Sequence, residues 1–268
     1  MDIRQIITEE LTSFIEKEND ASPYENLWQT PMAGFADAKG TYVQSLRDIV
    51  HREHQLPQDV LEDAKIVIAV FVPFGEWVAE TNREGELSSP VWAESYELTN
   101  AMLGRLNEHL AGVLHKLGYE GKTASEAGVF YRDEVISHWS FRHFAYAAGL
   151  GTFGLNNMLI TEKGCAGRIT TLVTNLDIEP DAPQQEEACP WKRSGTCGAC
   201  MTRCPSQALT EEGFDRYKCF EQCLKNAEIY TSFGNSYASA PGEDAAESGS
   251  EVCGKCLAGL PCTYRKPK

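Results

Sequence analysis

The sequence predicts an α/β domain over residues 1–180 followed by a small ferredoxin-like, two-cluster domain over residues 181–268. Three features carry this expectation. Helical and strand-like segments alternate as far as residue 178, an acidic stretch with two prolines (residues 177–188) then interrupts them, and nine of the ten cysteines follow it. Glycines and short segments replace the periodic elements beyond that point.

The elements follow in order. Ile3, Ile6, Ile7, Leu11, Phe14 and Ile15 recur near helical spacing, so residues 3–17 form an amphipathic helix. Residues 65–73 are continuously apolar and rich in β-branched side chains, as in a central strand buried on both faces. Residues 92–117 carry a stripe of Leu98, Met102, Leu103, Leu106, Leu110, Val113 and Leu114, and Gly118 supplies a left-handed stop. A further helix is expected over 137–148, with Ser137 or Ser140 as N-cap and Gly149 just past its end. Segments 158–161 and 169–175 are strand-like and are expected to pair as a hairpin. The small, polar stretch 231–251 reads as a flexible surface loop.

Composition narrows the function. The 268 residues carry a formal charge of −15, which repels phosphate backbones and disfavours a nucleic-acid partner. The one basic cluster, Arg265, Lys266 and Lys268, reads as a solvated terminus. The acidic N-terminus is no signal peptide, and no apolar run reaches the roughly 18 residues of a membrane span. A cytoplasmic chain is expected, and there so many cysteines bind metal or do redox chemistry rather than form disulfides.

Two-cluster ferredoxins carry C-x2-C-x2-C-x3-C-P, the fourth cysteine reaching the other cluster. Cys197, Cys200 and Cys204-Pro205 match the last three members; Ser194 stands at the first, and Cys189 replaces it if the loop is longer. By the crossed logic Cys189, Cys197, Cys200 and Cys262 hold one [4Fe–4S] cluster. Cys204, Cys253, Cys256 and either Cys219 or Cys223 hold the other, with Cys219 favoured. Cys165 reads as inert. Zinc on the two C-x2-C pairs is the alternative, but it leaves the C-x3-C-P unit unexplained.

Gly149-Leu150-Gly151-Thr152-Phe153-Gly154 is formally G-x-G-x-x-G. A dinucleotide site needs a strand before the glycines and a helix after them. Here a helix precedes and a strand-like segment follows, which leaves either a helix stop with a tight turn or a backbone approaching a flat cofactor. Just upstream, Tyr131, Asp133, His138 and His143 stand among aromatics and are candidate proton donors.

The run from His143 through the glycines to Asn156-Asn157, continuing into Met158-Leu159-Ile160-Thr161, resembles the A-G-L-G-x-x-G-K-N-x-L-L-I segment of the epoxyqueuosine reductases and their reductive-dehalogenase relatives. Cys204-Pro205, residues 213–219 and Cys253/Cys256 resemble the ferredoxin half of that family. The resemblance implies a nitroreductase-like first domain binding cobalamin, with Gly149, Leu150, Gly151, Gly154, Asn156 and Asn157 near the corrin and two clusters feeding it. It also implies a low-potential donor such as ferredoxin or flavodoxin. This sequence departs from the family's D-S-A-P-like segment and its catalytic acid, having Val135-Ile136-Ser137-His138 there; Leu155 replaces the lysine of G-K-N, and no C-terminal helical repeats follow. These departures point away from tRNA and toward a shorter reductase of a small molecule or a protein-bound corrinoid. Rival expectations are an electron-transfer or corrinoid-reducing partner protein and a flavin-dependent reductase.

Overall fold

A computed structural model of the chain describes residues 2–235 and 249–268. Its frame is an antiparallel sheet in the order β1 (Met32–Asp37), β2 (Ile66–Pro73), β6 (Gly167–Thr174), β3 (Gly121–Lys122). Strand β2 is buried along its whole length, as its continuous apolar run requires. Alternation divides its side chains. Ile66, Ile68, Val70 and Val72 enter a core with helices α1 (Ile3–Ala21) and α6 (Pro90–Lys116). Val67, Ala69 and Phe71 enter a second core with Trp139, Phe144 and Ala148 on the opposite face.

Helix α6 begins where Ser89 accepts the Trp92 N–H and Pro90 fixes the first turn. It ends before Gly118, whose φ of +87° is the expected left-handed stop. The helix expected over 137–148 is confined to α7 (Phe141–Ala147). Ser140 does not cap it through its hydroxyl, which instead meets His143 Nδ1 at 2.7 Å. The Ser140 N–H is donated to His54 Nε2 at 3.0 Å.

The structure corrects the hairpin. Leu159–Thr161 (β5) pairs with Gly151–Phe153 (β4) in a separate two-stranded sheet, and Gly167–Thr174 lies beside β2. The chain cannot fold straight back because Thr161 and Gly164 close a tight turn on each other. Cys165 and Ala166 then donate their N–H groups to the carbonyls of Cys262 and Thr263. Strand β1 and the short helices between residues 41 and 81 had no periodicity long enough to announce them.

The cysteine-rich segment contains short helices α8 (Pro190–Ser194) and α9 (Ala199–Arg203), a longer α10 (Arg216–Ala227), and a 3-10 turn, Lys255–Leu257. It packs directly on α6, and Cys189, Val252 and Leu257 belong to the same core as α1 and β2. Most of the stretch read as a surface loop, residues 236–248, lies outside the described residues. Its end is irregular but does not lie at the surface: Ser250 is buried with its hydroxyl 2.7 Å from Glu97 Oε1, and buried Glu251 pairs with Arg132 at 2.5 Å. No described helix is long and apolar enough to cross a membrane.

Candidate functional site

Cys189 stands at the N-cap of α8, Gly195 (φ +70°) turns the chain out of that helix, and Gly198 (φ +125°) turns it into α9. The result brings Cys189, Cys197, Cys200 and Cys262 around one cavity, closed on its other side by Gly154, Asn156 and Ile160. Burial pushes the Cys200 thiol up to about 11, with the Cys262 sulfur adding to it.

A second set forms beside the first. Cys204 follows α9 and its sulfur accepts the Ala208 N–H at 3.3 Å. Asp215 caps α10 by accepting from the Tyr217 and Lys218 N–H groups, which sets Cys219 and Cys223 one turn apart on one face. Cys253 and Cys256 flank Gly254 at the 3-10 turn. Burial drives Cys253 up to about 11 and Cys256 well above the usual thiol range, and the sulfurs of Cys219 and Cys204 push both further.

Each set carries one additional thiol. Cys165 is buried and donates to the Cys262 sulfur at 3.9 Å, an adjacency that no local spacing encodes. Cys223 stands in the same relation to Cys219. The Cys223 hydrogen bond, and then the charge of Arg142, hold Cys219 below the usual thiol range. Of that pair Cys219 is therefore the readier thiolate. Among the described residues, which include all ten cysteines, no three sulfurs lie mutually within 4.8 Å.

Arg142, one of the ionisable residues that crowd the stretch before the glycine run, links this second set to the glycine turn. It donates to the Asn157 carbonyl at 2.7 Å while its charge reaches Cys219. Asn156 is buried and donates to the Cys256 carbonyl at 2.7 Å. Asn157 (φ +57°) and buried Leu150 complete the turn. The glycines themselves are explained by the chain's own packing. A Cβ on Gly149 would meet the Ala182 carbonyl at 2.6 Å, one on Gly151 would overlap the Ile160 carbonyl, and one on Gly154 would meet Asn156 Oδ1 at 2.5 Å.

Of the four candidate proton donors the structure joins two. Tyr131 stacks on buried His138 with ring centroids 4.0 Å apart and donates its hydroxyl to Glu126 at 2.9 Å, a bond that raises the phenol above its usual range. His143 stands apart, tilted against Phe153 at 4.8 Å; burial lowers it to about 4, so it is neutral near pH 7. Asp133 is exposed, and among the described residues no hydrogen bond or ion pair joins it to the other three.

No family model matches the chain. It is 31% identical over 169 residues to an epoxyqueuosine reductase of Lactococcus garvieae, covering 60% of this chain and 43% of that protein. It is 30% identical over 200 residues to a tetrachloroethene reductive dehalogenase of Desulfitobacterium hafniense, covering 74% and 33%. The chain belongs with the epoxyqueuosine reductases and reductive dehalogenases. It spans less than half the length of these two curated relatives. The fold agrees: the structure of epoxyqueuosine reductase from Streptococcus thermophilus superposes with a TM-score of 0.57 at 18% identity, covering 100% of this chain and 68% of that one. A catabolic reductive dehalogenase in complex with 3-bromo-4-hydroxybenzoic acid superposes at 0.55 and 14% identity, covering 88% and 30%. Like this family, the chain is a mixed α/β protein with antiparallel sheets.

Proposed function

We propose that the chain is an iron–sulfur oxidoreductase, with a nitroreductase-like part over about residues 1–180 and a ferredoxin-like part over 181–268. Cys189, Cys197, Cys200 and Cys262 would hold one [4Fe–4S] cluster, and Cys204, Cys219, Cys253 and Cys256 the other. The grouping of eight buried or half-buried thiols into two neighbouring sets carries this reading. A single tetrahedral zinc with Zn–S near 2.3 Å draws its sulfurs to about 3.8 Å of one another. These sulfurs are spread more widely. A cubane presents its thiolates on separate irons and so spreads them. Burial keeps these thiols protonated on their own, so a metal centre bound there would release their protons on loading.

The kinship with epoxyqueuosine reductases and reductive dehalogenases supports a corrinoid as the electron acceptor. When bound, clusters supply one-electron carriage and a corrinoid supplies a cobalt centre that changes oxidation state. The residues of the glycine turn do not by themselves make an open cradle, so no reaction step is assigned to Gly149, Gly151 or Gly154. What the chain's own residues do is position: Asn156 and Arg142 tie that turn to the second thiol set. Tyr131 donates its proton to Glu126, a bond that raises the phenol above its usual range, so it would serve as a proton donor only once that bond is released. A low-potential ferredoxin or flavodoxin would supply the electrons, and a small molecule or protein-bound corrinoid would receive them. The charge of −15 argues against tRNA as that substrate.

Anaerobic purification with iron, sulfide and cobalt counts and a cobalamin titration tests the reading. About eight irons and eight sulfides per chain, with a cobalamin spectrum that shifts on binding, is the expected result. Stoichiometric zinc with less than one cubane's worth of iron overturns the clusters. Eight irons with a flavin spectrum, or with no cobalamin shift, overturns the corrinoid.

A further inference from the structure

Away from the thiols, three ligand-type side chains converge at the junction of residues 51–55 with the loop before α7. His51 Nε2 lies 3.0 Å from Glu134 Oε2. The His51 and His138 rings are stacked, with centroids 4.4 Å apart and planes 4° from parallel. One ligand atom from each of His51, Glu134 and His138 lies within 4.8 Å of the other two.

The buried end of this group is unsatisfied. His138 is 4% exposed, and its Nε2 has no hydrogen-bond partner. A buried imidazole nitrogen without a partner costs free energy unless something else fills the position. The surrounding charge suits a cation: Glu134 faces His51, and the Glu126 carboxylate is 4.0 Å from His138 Nδ1, on the side where metal-bound imidazoles commonly meet a carboxylate. The backbone already holds the groups in place. The Gln55 N–H is donated to the His138 carbonyl at 2.9 Å, and Tyr131 and Ile136 exchange N–H···O bonds across the loop tip. Within that tip Val135 has a φ of +52°, a conformation a β-branched residue rarely adopts, and it presents Glu134 beside His51.

We propose that His51, Glu134 and His138 form a divalent transition-metal site of the zinc type, separate from the thiol sets. Two imidazoles and a carboxylate are a borderline donor set that suits zinc, and they leave a fourth position for water. Loading needs a rearrangement: the parallel His51 and His138 rings must turn so that a nitrogen lone pair from each points at one ion, and the Glu53 N–H must give up its bond to His51 Nδ1. His51 Nδ1 now accepts the Glu53 N–H at 3.3 Å, so a metal on Nε2 displaces the proton there, and His51 carries one on Nδ1 instead. The ion would lock the loop that carries Tyr131 and the Arg132–Glu251 pair to the cysteine-rich segment.

The test uses cluster-loaded protein stripped of loosely bound metal and titrated anaerobically with Zn2+ against a chromophoric indicator. One equivalent is expected to bind saturably, with an X-ray absorption shell of nitrogen and oxygen at about 2.0–2.1 Å. Because His138 is buried, half-buried His51 and exposed Glu134 make the safer variants. His51→Gln and Glu134→Gln are expected to weaken binding at least ~tenfold while the clusters' visible spectrum stays unchanged. Absence of saturable binding, a sulfur shell near 2.3 Å, or variants that bind like the parent would each overturn the proposal. None of these outcomes depends on what the clusters reduce.

Discussion

At the scale of single residues, the cysteines divide into eight candidates for ligation and two that donate to them. Spacing made most of the eight legible, because the C-x2-C-x3-C-P unit is a local pattern. It could not reveal that Cys165 meets Cys262 at 3.9 Å, since that contact joins positions 97 residues apart. An S–H donated to a ligand sulfur stabilises the reduced, more negative cluster and raises its potential. Cys165→Ala is therefore expected to lower the midpoint of the cluster proposed on Cys262 by roughly 20–60 mV, the one-electron equivalent of a hydrogen bond of about 0.5–1.5 kcal/mol. Cys223→Ala should do the same to the other cluster, with both variants keeping all their iron. Cys219→Ala should instead lose iron from one cluster. Redox titration followed by electron paramagnetic resonance reads all three, and a Cys223→Ala protein that loses a cluster while Cys219→Ala keeps both would reverse the assignment.

At the scale of elements, helix α7 and the glycine turn behind it show what periodicity could and could not supply. The apolar pattern placed a helix before Gly149, and the order of elements excluded a nucleotide fold. The N-cap of α7 is Ser140, one of the two serines the pattern offered; what local pattern could not show is that the Ser140 N–H is accepted by His54, 86 residues away. His54 Nε2 must stay unprotonated to accept the Ser140 N–H, and burial lowers the group to about 4. His143, in the same helix, is likewise lowered to about 4 by burial. Between that value and the unfolded value of about 6.5 the unfolded chain binds more protons, so stability is full above pH 6.5 and is lost as pH falls toward 4. Urea midpoints at pH 7 and pH 5 should show this loss, and His54→Gln, which keeps an acceptor for Ser140, should lessen it; equal losses in both proteins would refute the role of His54. The glycine turn gives a second test. A Cβ on Gly151 overlaps the Ile160 carbonyl across the β4–β5 pair. Gly151→Ala should then destabilise the protein before any corrinoid is added, by about 1–3 kcal/mol as for other overpacked sites. An unchanged melting curve would return that glycine to the role of a cofactor cradle.

At the scale of the whole molecule, the alternation of elements and the cluster-type cysteines were both readable, but their mutual packing was not. Residues 177–188 read as a linker, a boundary between an α/β part and a cysteine-rich part. The structure runs one hydrophobic core from Ile7 and Leu11 through β2 and α6 to Cys189, Val252 and Leu257. Gly254, between Cys253 and Cys256, sits so close to Trp92 on α6 that no Cβ fits. Asn82 donates to the Cys253 carbonyl at 2.9 Å, and Lys255 is buried with its ammonium 3.1 Å from the Asn82 carbonyl. Patterns of two to five residues cannot encode contacts between segments more than 150 residues apart, so this joint was invisible in the sequence. It has a thermodynamic consequence. Metal bound only by the folded chain contributes its binding free energy to folding, and a shared core transmits that contribution to the α/β elements. Removing iron by anaerobic chelation should lower the melting temperature of the helical circular dichroism signal by more than about 10 °C, given roughly 2–4 °C per kcal/mol for a chain near this size. The cluster-loaded protein should melt in one transition. Two transitions, with the helical one indifferent to iron, would show instead that the cysteine-rich segment folds and fails alone, and that the core drawn through Cys189 and Leu257 couples nothing.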